Sequence, residues 1–402
     1  MMAATSPRSE SVTSRDELLN RARKIAEIAR ERAGQTETDR RVSADMVDMM
    51  RSNDLFRTLQ PAEFGGFEYG FDMLVDIGAT IAEGCASTGW VCSLGMVHQW
   101  LISQFPIEAQ QDVWAKNPGA IAFGSYAPAG QAVVVDGGFR VSGQWAFASG
   151  CDNAQWYLLG GLIDKSSGGK EAVFYLVDAA ECSLDDTWFT MGLAGTGSKT
   201  VVVENVFVPS HRVVRTAELT TGTSLGALRA KNPLYKVPLL ALLPLCLVAP
   251  TLGMAQGALK SFLQTLQTRV TRGAVAGANN RMAEFATVQL RVAEATASID
   301  AGRLLIVRDI TETIRCAEQG KAIPVDMRIR NRLDHAFSAK LFTEAVDALF
   351  MASGGNAIYS DKEIQRSWRD IHAANVHISL NWDAVGTMYG QHALGLEPKG
   401  QY

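Results

Sequence analysis

Gln144–Gly161 reads QWAFASGCDNAQWYLLGG, and the way this stretch breaks in the middle decides how the chain is divided. Trp145 and Phe147 close one aromatic run, Trp156 and Tyr157 open another, and Ser149, Gly150, Cys151 and Asp152 make the turn between them. On its residues alone the stretch is equally a hydrophobic strand with aromatic core packing. Its neighbours share the texture: IAFGSY, QAVVVDGGFRVSGQWAF, KEAVFYLVD and SKTVVVENVFVP are short β-branched runs separated by turn signals, and Asp136-Gly137-Gly138 marks a hairpin. The spacing predicts an antiparallel β region over residues 119–216, a small sandwich or barrel.

Both flanks have the other period. Ser14–Gly34 carries Leu18, Leu19, Ala22, Ile25, Ile28 and Ala29 at helical spacing, with Ser14 placed to cap the helix and Gly34 to stop it. Ala44–Ser52 repeats the pattern, and it resumes from Met73 to Phe105. Beyond the strands, Pro250–Val270, Phe285–Gln319 and Val325–Ala352 are long periodic segments of the kind a helix bundle uses. The expected organisation is an α-helical unit (1–118), a β unit (119–216) and a C-terminal helical unit (217–402), an α+β fold.

Composition narrows the function classes. A net charge of −4 leaves no basic field for nucleic acid or anionic lipid. Cys85, Cys92, Cys151, Cys182, Cys246 and Cys316 form no C-x-x-C pair and no metal-ligand spacing, so reduced thiols are expected and no metal site. The first residues, MMAATSPRSESVTSRDELL, lack the apolar core of a secretory signal, and a cytoplasmic location is the default expectation. Val237–Ala255 is apolar enough to suggest a membrane span, but Pro238, Pro244 and Pro250 argue for a buried segment leading into a core helix.

Proton-exchanging residues are scarce in the apolar helical pattern near the C-terminus, where Gln365–Asp383 (QRSWRDIHAANVHISLNWD) holds His372 and His377. Read alone, both fit core histidines satisfied by carbonyls as well as they fit proton carriers. His98, in GMVHQW, likewise reads as a core histidine beside Trp100. GLAGTGSKT carries Gly195, Gly197 and Ser198, but it enters a strand and lacks P-loop spacing, so it reads as a β-turn in which Thr196 or Ser198 touches ligand only as an open alternative. No G-x-G-x-x-G follows a strand, and a nicotinamide-binding function inside this chain is not expected.

In this order the segments resemble the acyl-CoA dehydrogenase fold, with its N-terminal helices, central β unit and C-terminal four-helix bundle. Phe147-Ala148-Ser149 is similar to that family's flavin-facing strand, IAFGSYAPAGQA with Pro128 to the strand before it, and MGLAGTGSKTVVVENVFVP to the strand ending in Val-Pro. GALKSFLQTLQTRVTRGA resembles the helix whose Arg reaches a neighbouring subunit's flavin, which implies that role for Arg269, with Arg272 beside it. FMASGGNAIYSDKEIQRSWRD resembles the Gly-Gly segment, here Gly354 and Gly355, followed by Arg369-Asp370.

The departure from the dehydrogenases is at the base. Eight residues after Asp370, where several of them carry a Glu, stands Ile378, and His377 is beside it. With YAP, ASGC and GTGS segments, Arg369, Asp370, His372 and His377 are similar to the oxygenase components of two-component flavin-dependent monooxygenases, including the p-hydroxyphenylacetate and secosteroid phenol hydroxylases. This resemblance implies hydroxylation of an aromatic (phenolic, indolic or fused-ring) substrate by reduced FMN or FAD and O2 through a C4a-hydroperoxyflavin, a separate NAD(P)H-dependent flavin reductase and a homotetramer. An acyl-CoA dehydrogenase with a relocated base is the alternative.

The same resemblance implies the roles of single residues. His377 manages the proton at the flavin and Ser149 holds its N5. Phe147, Gly150, Cys151, Tyr126, Arg269, Gly354 and Gly355 line the cofactor. His98 and Ser125 engage the substrate hydroxyl, with Trp90, Trp100 and Phe123 around it. The absence of an obvious cationic anchor leans the expectation toward neutral, bulky or fused-ring substrates.

Overall fold

Ser14 opens the first helix, α1 (Arg15–Thr38), its Oγ accepting the N–H of Glu17 at 3.2 Å. The computed structural model describes residues 13–165, 168–272 and 279–402. Gly34 does not stop α1. A helical glycine costs only about 1 kcal/mol, and the turn beyond it is held by Gln35 donating to Asp39 and by Glu37 pairing with Arg369. Next come α2 (Ala44–Ser52), α3 (Phe71–Gly84), α4 (Ala86–Ile102) and α5 (Ile107–Trp114). Helix α4 is buried along almost all its length, which the period alone does not disclose because its apolar residues go all round.

The strands are β1 (Ala122–Val135), β2 (Gly138–Ala148), β3 (Trp156–Asp164), β4 (Lys170–Asp178), β5 (Ser183–Asp185), β6 (Lys199–Pro209) and β7 (Val213–Arg215). They form one seven-stranded sheet in the order β5-β6-β2-β1-β3-β4-β7. Val135 pairs with Gly138 across the expected hairpin, where Gly137 takes φ +75°. Neighbours are antiparallel except β1 and β3, which run parallel. The sandwich-or-barrel expectation is therefore corrected to a single sheet. It curls, because Trp145, Tyr157, Tyr175 and Val201, from β2, β3, β4 and β6, share one apolar cluster.

After the sheet, α6 (Thr216–Thr221), α7 (Leu225–Arg229) and α8 (Leu239–Leu242) lead into α9 (Leu245–Leu266). The hairpin β8 (Val270–Arg272) and β9 (Asn279–Arg281) precedes α10 (Ala286–Glu318), α11 (Val325–Ala352), α12 (Glu363–Asn375) and α13 (Trp382–Ala393). Pro238 and Pro244 stand just before α8 and α9, but Pro250 lies inside α9. The proline removes one helical bond at a cost of about 3 kcal/mol, which the burial of Leu245, Leu247, Val248, Leu252 and Met254 offsets. Leu239–Leu266 is long and apolar enough to cross a membrane by composition, yet 89% of its most apolar window is buried inside the protein. One apolar core joins α1–α5 to α9–α12 and packs on the face of the sheet that carries Leu158 and Phe174.

Candidate active site

At the end of β2 the pairing with β6 slips between Trp145 and Ala148, and the chain passes through Phe147 at φ +62°. A bulky residue rarely adopts this conformation, and holding it costs on the order of 1–3 kcal/mol. The result is a phenyl ring 72% exposed, edge-on to Trp188 at 5.9 Å. Two residues on, Ser149 Oγ shares a hydrogen bond with Ser198 Oγ at 2.6 Å, and Ser198 shares one with Thr196 Oγ1 at 2.7 Å. The 149–151 and 196–198 turns are clasped by Gly150 N–H donating to Thr196 O and by Cys151 Sγ donating to Gly197 O. Burial pushes the Cys151 thiol up to about 12, so it acts here as a small buried donor. Gly150 sits at φ +77°, and a Cβ there would stand 2.8 Å from the Phe123 ring.

The Arg369-Asp370 pair works on the loop leading into this clasp. Arg369 Nη1 donates to Met191 O at 2.6 Å, and Asp370 Oδ1 accepts the Leu193 N–H at 2.6 Å, where Leu193 is itself at φ +51°. Burial raises the Asp370 pKa to about 6.

His377 follows α12 in a tight turn. Its carbonyl accepts the N–H groups of Leu380 and Asn381, and its Nδ1 accepts the Ser379 N–H at 3.1 Å. An Nδ1 that accepts cannot carry the ring proton, so the neutral imidazole is protonated on Nε2. The ring meets Trp90 of α4 edge-on, centroids 6.4 Å apart. Burial, and after it the charge of Arg332, lower the His377 pKa to about 4. The ring is therefore neutral at neutral pH. The same helix α4 packs on the clasp, since a Cβ on Gly195 would stand 3.0 Å from Ser87 Cβ.

His98, also on α4, is 1% exposed and hydrogen-bonded through Nδ1 to Ala122 O at 2.8 Å. The carbonyl can only accept, so Nδ1 carries the proton and Nε2 is left as an acceptor, with no partner among the described residues. Burial lowers the His98 pKa to about 4, and the ring stays neutral. Phe123 lies 6.1 Å and Tyr126 5.7 Å from it, and Tyr126 contacts Phe174 at 5.1 Å. The Tyr126 hydroxyl is buried without a partner. Ser125, buried one residue earlier, makes no hydrogen bond to His98 among the described residues.

Other expected residues lie elsewhere. Trp100 is two positions from His98, roughly 200° around the helix, and donates to Leu234 O at 3.0 Å beside Phe71. It is a core residue away from the His98 cluster. His372 is held with Trp368 on Asp347, Nε2 to Oδ1 2.8 Å, on the α11–α12 face. Arg269 is just past the end of α9, its Nη2 3.6 Å from where a Cβ on Gly354 would stand. Gly354 has φ +64° and ψ −170°, a backbone that only glycine adopts readily. The Arg272 side chain lies outside the described residues. The sequence reading missed Arg332, which breaks the buried face of α11 between Ile329 and Ala336. A charge on an apolar helical face was the signal for it.

Comparison with known proteins places the chain in a family. The profile of the acyl-CoA dehydrogenase C-terminal domain family matches residues 245–382. The oxygenase component of the FADH(2)-dependent resorcinol hydroxylase of Rhizobium sp. (strain MTP-10005) is 46% identical over 96% of both chains. The crystal structure of the 3-HSA hydroxylase from Rhodococcus sp. RHA1 superposes with a TM-score of 0.90 at 35% identity, covering 96% of this chain and all of that one. XiaF from Streptomyces sp., solved with FADH2 and glycerol, gives 0.87 at 28% identity over 98% and 99% of the two chains. The chain therefore belongs to the oxygenase components of flavin-dependent monooxygenases built on the acyl-CoA dehydrogenase fold, enzymes that use reduced flavin and O2 on aromatic substrates with a separate flavin reductase.

Proposed function

We propose that this oxygenase hydroxylates a one-ring phenol, a resorcinol-like dihydroxybenzene, with His98 accepting the substrate's hydroxyl proton in a hydrogen bond. The observation that carries the reading is the tautomer of His98. Its Nδ1–H is committed to Ala122 O, which leaves a neutral, buried Nε2 lone pair among Phe123, Tyr126 and Phe174. An acceptor at a phenol O–H raises the electron density of the ring carbons that take up oxygen, and the apolar walls keep water from competing. The unpartnered Tyr126 hydroxyl suits a second substrate oxygen, and Ser125 assists. The kinship with a resorcinol hydroxylase favours one ring over the bulky or fused systems that the missing cationic anchor suggested.

The residues present fit a flavin. An aromatic ring held open at positive φ, a buried hydroxyl cluster beside it, and an arginine next to a Gly-only turn offer a ring platform, hydrogen bonds and a phosphate partner. Phe147, Ser149, Gly150, Cys151 and His377 would hold the ring system, and Arg269 with Gly354 and Gly355 would serve the flavin of a neighbouring subunit in a homotetramer. Reduced FMN or FAD, when bound, supplies the electrons by which one atom of O2 is transferred to the substrate. His377 holds its proton on Nε2, where it can donate toward that oxygen, and Trp90 excludes water from its side. We infer a cytoplasmic location.

The test is product analysis with purified protein, a flavin reductase, NADH and a panel of phenols, indoles and fused aromatics. Resorcinol-type phenols should be hydroxylated, and His98→Asn should lower the rate roughly 10²-fold, the lower range for a positioned proton-handling group. Turnover of an acyl-CoA with an electron-acceptor flavoprotein, or an unaffected His98→Asn variant, would overturn the reading.

A further inference from the structure

Two buried features at α11 play no part in the flavin and substrate site described above. Asp309 and His335 are fully buried, 3.9 Å apart, and neither ring nitrogen nor carboxylate oxygen has a hydrogen-bond partner. Arg332, one helical turn before His335, is 5% exposed and makes no ion pair among the described residues. Its Nη1 donates to Ser379 O at 3.1 Å, its Nε is buried without a partner, and its charge bears on both His335 and His377.

A buried guanidinium without a carboxylate is costly, and a leucine or methionine would fill the same space without that cost. The guanidinium's one hydrogen bond goes to the residue whose own N–H fixes the His377 ring: Arg332 donates to Ser379 O, and Ser379 N–H donates to His377 Nδ1. The backbone carbonyl and N–H of one residue, Ser379, are thus both occupied, the first by the arginine and the second by the imidazole.

The geometry points to Arg332 as a positioning residue for His377: through Ser379 it holds the 377–380 turn so that the imidazole is pinned by Nδ1 and presents Nε2–H on the side away from α11. The inference deepens the assignment of His377 to proton handling and rests on it. Arg332 is the charged group on α11 that faces the ring, and the Trp90 ring on α4 is neutral. With no carboxylate paired to His377 among the described residues, the field of Arg332 opposes the imidazolium and reinforces the same tautomer.

The test is nitrogen NMR of the full-length protein labelled with ¹⁵N-histidine, with the His377 signals assigned by their loss in His377→Asn. In the wild type Nδ1 should be unprotonated and Nε2 protonated. A ring protonated on Nδ1 would end the proposal whether or not any Arg332 variant folds. Arg332→Gln should populate the second tautomer and raise the pKa of His377 by about one unit, a tenfold gain in imidazolium at a given pH. It should also divert turnover from hydroxylated product to hydrogen peroxide, whereas Arg332→Lys should keep the charge and restore most of the wild-type ratio. If Arg332→Gln folds with tautomer and product ratio unchanged, Arg332 is structural only. A wild type that hydroxylates no phenol yet shows the predicted tautomer would instead defeat the substrate reading and leave this one standing.

Discussion

Replacing Gly150 by alanine tests whether the turn after β2 is built around the missing side chain. Gly150 has φ +77°, and an added Cβ would be 2.8 Å from one carbon of the Phe123 ring and 2.9 Å from another. A left-handed conformation costs an L-residue about 1–2 kcal/mol, and forcing a methyl against a packed ring adds about 1–3 kcal/mol. Gly137→Ala is the internal control, because Gly137 has φ +75° but its nearest neighbour, Phe207 Cζ, is 3.9 Å away. The control should lose only the conformational part, about 1–2 kcal/mol, against about 2–5 kcal/mol for Gly150→Ala. Denaturant midpoints of the two variants, measured side by side, give the difference. Phe123 lies edge-on to His98, 6.1 Å away, so a ring displaced by Gly150→Ala should also lose hydroxylation where Gly137→Ala keeps it. Equal destabilisation, or retained activity in Gly150→Ala, would refute the claim that this glycine spaces the clasp from the substrate side.

Phe147→Ala should leave the unfolding free energy within about 0.5 kcal/mol, since the ring is exposed and alanine keeps the Cβ that makes φ +62° costly, while weakening reduced-flavin binding in a fluorescence titration. Burial and the adjacent Asp334 hold the Asp309 pKa above the carboxylate range. A raised folded-state pKa means that its stability contribution is present at low pH and lost as pH rises through the folded value, so Asp309→Asn should flatten the fall of the midpoint between about pH 4 and about pH 8.

Helix boundaries and the β region were legible because hydrophobic period changes sharply near Pro118 and again near Pro209, and Asp136-Gly137 states its hairpin outright. Gly34 and Pro250 misled, since both are local penalties of a few kcal/mol at most that a well-buried helix absorbs. The parallel pairing of β1 with β3 could not be read, because it depends on which strand lies beside which, not on alternation within either. Ser149 and Ser198 were singled out separately, yet only the fold makes them partners across 49 positions. Adjacency in sequence suggests that Trp100 joins His98, whereas two helical positions put the side chains on different faces.

Asp370 is the residue through which α12 fixes both halves of the site. Its carboxylate takes the Leu193 N–H on the approach to Thr196 and Ser198, and His377 stands seven residues later in the turn that follows the end of α12 at Asn375. One helix and the turn after it therefore set the spacing between the hydroxyl cluster and the imidazole. Asp370→Ala should cost about 1.5–3 kcal/mol, the worth of a hydrogen bond to a charged group whose partner is left buried, and should uncouple O2 consumption from product because both halves move. Asp370→Asn keeps an acceptor for Leu193 and isolates the charge. Since the Asp370 pKa is raised from 3.8 to about 6, its stability contribution is present below the unfolded value and is lost as pH rises through about 6, by about 3 kcal/mol in all. The asparagine variant should thus gain on the wild type as pH rises from about 4 to about 7. A stability difference between the two that does not change with pH would show that Asp370 is not the buried, proton-binding anchor that its position requires.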